Sequence, residues 1–159
     1  MKFVVKNQFS INGNLKVFDE NGKEIYFVKG NFFSLTNKKK IICSEDGKVC
    51  YVVKNKFFNW FIHTSYIFDK DKQKVARVKN RFAKGGFDVS GYGDQIAIDG
   101  WGIKGYSIVK NGEKIGEVKS NLSLLGQFEV EVSDAEDVSF IVAVIVAMNN
   151  VTKNASKRT

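Results

Sequence analysis

The chain has 159 residues and no proline. Domains run to roughly 100 to 200 residues, so this length fits one domain with a core large enough to fold unaided. A composition 43% hydrophobic and 26% charged, with a formal charge of +8, excludes a disordered chain and a collagen-like repeat.

The N-terminal segment Met1 to Gln8 lacks the apolar stretch of a secretory signal, so cytoplasmic residence is expected. Its Phe3 to Lys6 reads as a strand. Four similar units follow. Asn21-Gly22 leads to Val28-Lys29, Asp46-Gly47 to Val53-Lys54, Asp71-Lys72 to Val78-Lys79 and Asn111-Gly112 to Val118-Lys119, always with eight residues from turn to lysine. The first three units are 25 residues apart and the fourth follows after 40. Each reads as a strand, a tight turn, a return strand and an aromatic stop.

Period-two alternation assigns the faces of the return strands. Tyr26, Val28, Gly30 and Phe32 face inward, as do Tyr51, Val53, Asn55 and Phe57 in the second unit. Ala76, Val78, Asn80 and Phe82 do so in the third, and Gly116, Val118, Ser120 and Leu122 in the fourth. The third place is always small, which predicts a bulge or close approach by something filling the middle. Lys29, Lys54, Lys79 and Lys119 point outward, followed two residues on by Asn31, Lys56, Arg81 and Asn121. Phe3 to Lys6, Phe87 to Ser90, Gln95 to Ile98 and Gln127 to Val132 bring the strands to about twelve, and a sheet of that size curls or closes.

The last segment changes character. Ser133-Asp134-Ala135-Glu136 fits a capping box and predicts a helix over 134–151. Its apolar run, Val138 to Met148, is shorter than the roughly 20 residues that span a membrane. A helix apolar on all sides must be buried on all sides, and the barrel is its natural container. The expected domain is therefore a mainly β, closed twelve-stranded barrel over 1–151 enclosing this helix. Residues 152–159, with Lys153, Lys157 and Arg158, read as a basic tail.

Motifs for chemistry are sparse. A two-residue turn at Asp46-Gly47 would set Cys43 opposite Cys50, where a cross-strand disulfide is geometrically conceivable, but in a reducing cytosol two buried free thiols are expected. With His63 as the one histidine, these supply three ligands at most, short of the four of a structural zinc site. His63 itself is expected to be structural. Gly100 to Gly105 spells GxGxxG, but Tyr106-Ser107-Ile108-Val109 follows where a dinucleotide site needs a helix, so a bend between strands is expected. Asp69/Asp71 and Glu45/Asp46 fall at turns. Neither a catalytic site, a metal nor a cofactor is expected.

The unit Lys-Gly-Asn-Phe-Phe-Ser-Leu at 29–35, its echo Lys-Asn-Lys-Phe-Phe-Asn-Trp-Phe at 54–61, the Asp-Glu-Asn-Gly-Lys turn at 19–23 and the acidic cap before an apolar helix resemble the LURP-one-related (YxjI-like) family of the tubby C-terminal-like superfamily. The resemblance covers essentially the whole chain. It implies a twelve-stranded barrel around a hydrophobic helix, the same tubby-like architecture. In tubby proteins a Lys-x-Arg pair on the barrel surface helps bind phosphoinositide headgroups, and this sequence has Lys79-Asn80-Arg81, with the echo Lys54-Asn55-Lys56. Scramblases of the superfamily carry a cysteine-rich segment and a calcium-associated stretch that have no counterpart here.

The densest basic stretch runs from Lys70 to Lys84, and on a strand Arg77, Lys79 and Arg81 share one face. These three, with Lys54 and Lys56, are the candidate anion-binding residues. Two functional classes remain open: a binding or scaffold module attached peripherally to an anionic membrane surface, and a protein-interaction or structural module with no lipid ligand. A monomer is expected. Nucleic acid is not, because Phe33, Phe58 and Trp60, which would have to stack on bases, are expected to pack at strand ends. The excess of Lys over Arg also fits an AT-rich bacterial genome.

Overall fold

The computed structural model describes residues 1–8, 11–57, 63–81, 84–91, 93–101, 104–121 and 127–156. Strands β1 (Lys2–Asn7), β2 (Leu15–Asp19), β3 (Glu24–Gly30), β4 (Lys39–Cys43), β5 (Val49–Asn55) and β6 (Thr64–Asp69) form the first half. The second half holds β7 (Lys74–Asn80), β8 (Phe87–Gly91), β9 (Ile96–Trp101), β10 (Gly105–Lys110), β11 (Glu113–Asn121) and β12 (Gln127–Val132), followed by α1 (Val138–Ser156). Each strand pairs with its neighbours in sequence, and β1 pairs antiparallel with β12 to close the barrel. Closure leaves no edge strand to protect.

The repeated valines explain the barrel. Val28, Val53, Val78 and Val118 are completely buried, and every side chain from Phe140 to Val151 of α1 is buried among them. The helix packs against β4 to β7. Asp137 caps it: Oδ1 accepts from the Phe140 amide at 3.2 Å and from the Ser139 hydroxyl at 2.6 Å.

The expected helix start at 134 is thus corrected to Val138. Ser133 and Glu136 close a turn instead, the Glu136 amide donating to the Ser133 carbonyl at 3.1 Å. The Glu136 carboxylate is engaged by Lys110 Nζ at 3.0 Å, so it is drawn away from a capping role. At the other end α1 continues to Ser156, so the expected tail is helical through that residue. Lys157 and Arg158 lie outside the described residues.

Two more expectations change at strand ends. Phe32 and Phe57 are exposed because β3 stops at Gly30 and β5 at Asn55, and alternation has no force beyond the last paired residue. Phe82 and Leu122, and the side chain of Ser120, fall outside the described residues. Cys43 faces Lys48, its amide bonding the Lys48 carbonyl at 2.9 Å, while Ile42 pairs with Val49. A register shift after Ile41 separates it from the position opposite Cys50. Both cysteines are free thiols, half-buried rather than buried. The small residue at the third place has a specific cause at Gly30, where a Cβ would overlap the Asn12 carbonyl oxygen. The close approach comes from the β1–β2 connection, not from the helix. The GxGxxG segment joins β9 to β10, as a bend between strands should; Gly102 and Ile103 lie outside the described residues.

Antiparallel order sorts the connections onto two ends. Helix α1 starts at the entry end, where the Tyr51 hydroxyl donates to Asp137 at 2.8 Å. It finishes at the exit end, where Asn150 bonds Asn37.

Candidate binding surface at the exit end

The stripe Arg77, Lys79, Arg81 lies on the outside of β7 and the residue after it. Arg81 is not a free cation: its Nε bonds Asp88 at 2.7 Å and its Nη1 bonds Asp99. Burial works against the guanidinium charge, but the Asp99 and Asp88 carboxylates outweigh it and hold the group above its ordinary pKa. Arg77 donates through Nε to the Ser90 hydroxyl at 3.3 Å, and Lys79 stands in register with Asp88. Carboxylates on β8 and β9 therefore already match the Arg81 charge.

The other two candidates sit differently. Lys54 lies over the Phe68 ring, its Nζ 5.1 Å from the centroid, and Lys56 is exposed just past β5. Beside them are two lysines that the sequence reading did not select. Lys40 pairs with Lys29 across β3 and β4, and Lys38 directly precedes the Lys39–Val53 pair. Lys38 is held below the ordinary lysine pKa by burial first, then by the charges of Lys54 and Lys40. Among the described residues no carboxylate pairs with Lys38, Lys40, Lys54 or Lys56. The signal was present in the sequence as two acid-free stretches, 25–44 and 47–68.

An apolar rim accompanies these cations. The large hydrophobic side chains most exposed among the described residues are Phe33 (87%), Leu35 (85%), Ile11 (83%), Phe32 (61%) and Phe57 (60%). All five lie on three connections at the exit end, 8–14, 31–38 and 56–63, which are neighbours around the barrel. Phe33 was expected to pack at a strand end. It does not, because its segment leaves the sheet as a turn, with the Phe33 amide on Asn31 Oδ1 and the Ser34 amide on the Asn31 carbonyl. Phe58 and Trp60 lie outside the described residues.

The LURP-one-related family profile matches residues 1–149. The chain belongs to the LURP-one-related family. Its fold is similar to that of a crystal structure of a protein from Arabidopsis thaliana, with a TM-score of 0.70 and 15% identity, covering 95% of this chain and 90% of that one. At that identity the likeness is one of fold. No curated protein matches the chain in sequence.

Beneath the rim, this LURP-one-related barrel has a polar inner layer. Lys39, Asn55, His63, Thr64, Ser65, Asn149 and Asn150 are buried. Both side-chain polar atoms of Asn55 are buried without a hydrogen bond among the described residues, as is Nδ2 of Asn149. The Lys39 ammonium runs inward close to Gly13. Its inward direction was missed because none of the four return strands contains β4. His63 is buried here, among other polar groups. No cluster of three metal-ligating side chains occurs among the described residues, and no helix among them is long and apolar enough to cross a membrane.

Proposed function

We propose that this LURP-one-related barrel is a non-catalytic binding module that attaches peripherally to anionic phospholipid headgroups. The observation that carries the reading is the bank of Lys38, Lys40, Lys54 and Lys56 at the exit end, set on the neighbouring strands β4 and β5 and the residues flanking them, and unmatched by carboxylates among the described residues. Like charges on neighbouring strands repel one another, and an anionic surface relieves them. Each lysine near such a surface is worth about 1 kcal/mol. Lys79 and Arg77 extend the bank: Lys54 and Arg77 flank Tyr66 in register, about 10 Å apart across two strand spacings. Arg81 contributes least because two carboxylates already hold it.

Co-sedimentation with phosphatidylcholine vesicles, with and without phosphatidylserine, tests the reading. Pelleting should require the anionic lipid and weaken as salt screens the contacts. Binding that is absent, or indifferent to both, overturns it. The alternative is a protein-interaction module with no lipid ligand, favoured by the apolar side chains exposed at the same end, and it predicts no vesicle binding.

A further inference from the structure

The apolar rim and the lysines occupy one end of the barrel, and the opposite end has the opposite character. In sequence, the six exit-end connections, 8–14, 31–38, 56–63, 81–86, 102–104 and 122–126, contain no Asp or Glu at all. The entry-end connections carry eight of the 17 carboxylates: Glu20, Glu45, Asp46, Asp71, Asp94, Asp134, Glu136 and Asp137. A barrel polarised in this way meets an anionic surface with one end and turns the other away.

We infer that the exit end inserts into the bilayer interface, with Phe32, Phe33, Leu35, Phe57 and Ile11 entering the acyl boundary while Lys38, Lys40, Lys54 and Lys56 contact the headgroups, so that the barrel docks end-on. This rests on the lipid-binding reading above and adds the mode of attachment. Exposed aromatic and aliphatic side chains flanked by lysines are the composition of an interfacial membrane anchor. The three connections that carry these side chains, 8–14, 31–38 and 56–63, contain no carboxylate in sequence to desolvate on entry.

The backbone of the rim is also prepared for a poorly hydrated setting. Within the 31–38 connection the amides of Phe33, Ser34, Asn37 and Lys38 are all bonded internally, to Asn31 Oδ1, the Asn31 carbonyl, the Ser34 carbonyl and Ser34 Oγ. Backbone groups that enter lipid must find partners inside the protein. The rim is built rather than loose. The Gly30 amide donates to Asn14 Oδ1 at 2.9 Å, joining the first connection to β3, and the Asn55 amide donates to the Thr36 carbonyl at 2.7 Å, joining the second to β5. The phenylalanines are presented to solvent by a hydrogen-bonded frame. They meet each other edge to face, 5.2 Å between centroids.

The test uses the full chain. A Phe32→Ser/Phe33→Ser/Leu35→Ser variant, which removes side chains already exposed, should keep its circular dichroism and lose at least about tenfold in affinity for phosphatidylserine-containing vesicles. An environment-sensitive label on Phe33→Cys, in a Cys43→Ser/Cys50→Ser background, should shift to the blue on those vesicles and be quenched by brominated acyl chains. The same label on Glu20→Cys should do neither. If vesicle binding is unchanged in the triple variant and the label at 33 is silent, the insertion is overturned while the electrostatic reading stands. If the wild-type chain binds no vesicles, both fall. Self-association or capture of an acidic protein that the triple variant abolishes, without vesicle binding, also overturns it and assigns the rim to a protein partner.

Discussion

Asn37 and Asn150, 113 residues apart in sequence, exchange two hydrogen bonds: Asn37 Nδ2 donates to Asn150 Oδ1 at 3.0 Å, and Asn150 Nδ2 donates to the Asn37 carbonyl at 3.1 Å. The pair fastens the connection carrying Phe32, Phe33 and Leu35 to the last turns of the buried helix. Asn150 is fully buried, so Asn150→Ala loses both bonds and leaves the Asn37 groups without their partners. The expected cost is roughly 2–4 kcal/mol in urea unfolding. Asn37→Gly should cost less. It suits the positive φ of 49° at this position and keeps the bond to the main-chain carbonyl. Equal costs for the two variants would show that the side-chain exchange does not fasten the loop.

Gly30 tests the other fastening. Because a Cβ there would overlap the Asn12 carbonyl, Gly30→Ala must push the β1–β2 connection off β3. Roughly 2–4 kcal/mol of destabilisation is expected. A Cβ on Gly22 meets nothing within 4 Å, so Gly22→Ala should carry only its backbone strain at φ +79°, about 1 kcal/mol. Thermal unfolding of the two variants compares them directly; a Gly30→Ala midpoint at or above that of Gly22→Ala would contradict the close approach.

How far the sequence spoke for the fold follows from which interactions are local. The repeated turn, valine and lysine carry the strand faces, and an all-apolar helix needs a closed container, so barrel and helix were both readable. Alternation says nothing about where a strand ends, which is why Phe32 and Phe57 were placed inside. The capping box failed because Lys110, on β10, attracts Glu136, and no local pattern reports a partner that distant. Arg81 looked free for the same reason: Asp88 and Asp99 come from two later strands. The acid-free stretches were visible in the sequence, but it takes the antiparallel order to bring their lysines and phenylalanines to one end.

Arg81 and Lys54 can be separated by experiment. Arg81→Ala strands two carboxylates at a partly exposed site, and about 1 kcal/mol of stability should be lost. Vesicle binding should change little, since the residue's charge is already matched. Lys54→Glu/Lys56→Glu should shift stability by about 0.5 kcal/mol or less while weakening binding to phosphatidylserine vesicles by more than about tenfold. The reverse pattern, with Arg81 governing binding, would move the site to the outer face of β7.

Lys38 links stability to binding. Burial, then Lys54 and Lys40, lower its pKa in the folded chain, so at a pH between that lowered value and the ordinary lysine value the unfolded chain binds more protons than the folded one. Stability therefore rises with pH through that window, and below it the charged ammonium opposes folding. Lys38→Gln removes the opposition, so the variant should be more stable than wild type near pH 7, by a few tenths of a kcal/mol at this largely solvated site. The same variant should bind phosphatidylserine vesicles more weakly, because it loses a cation from the bank. Binding to those vesicles should in turn raise the Lys38 pKa toward its ordinary value, which NMR titration of the side chain with and without vesicles would detect. A Lys38→Gln variant that is less stable, or one that binds vesicles as wild type does, would place Lys38 in the frame of the rim rather than among the groups that contact the surface.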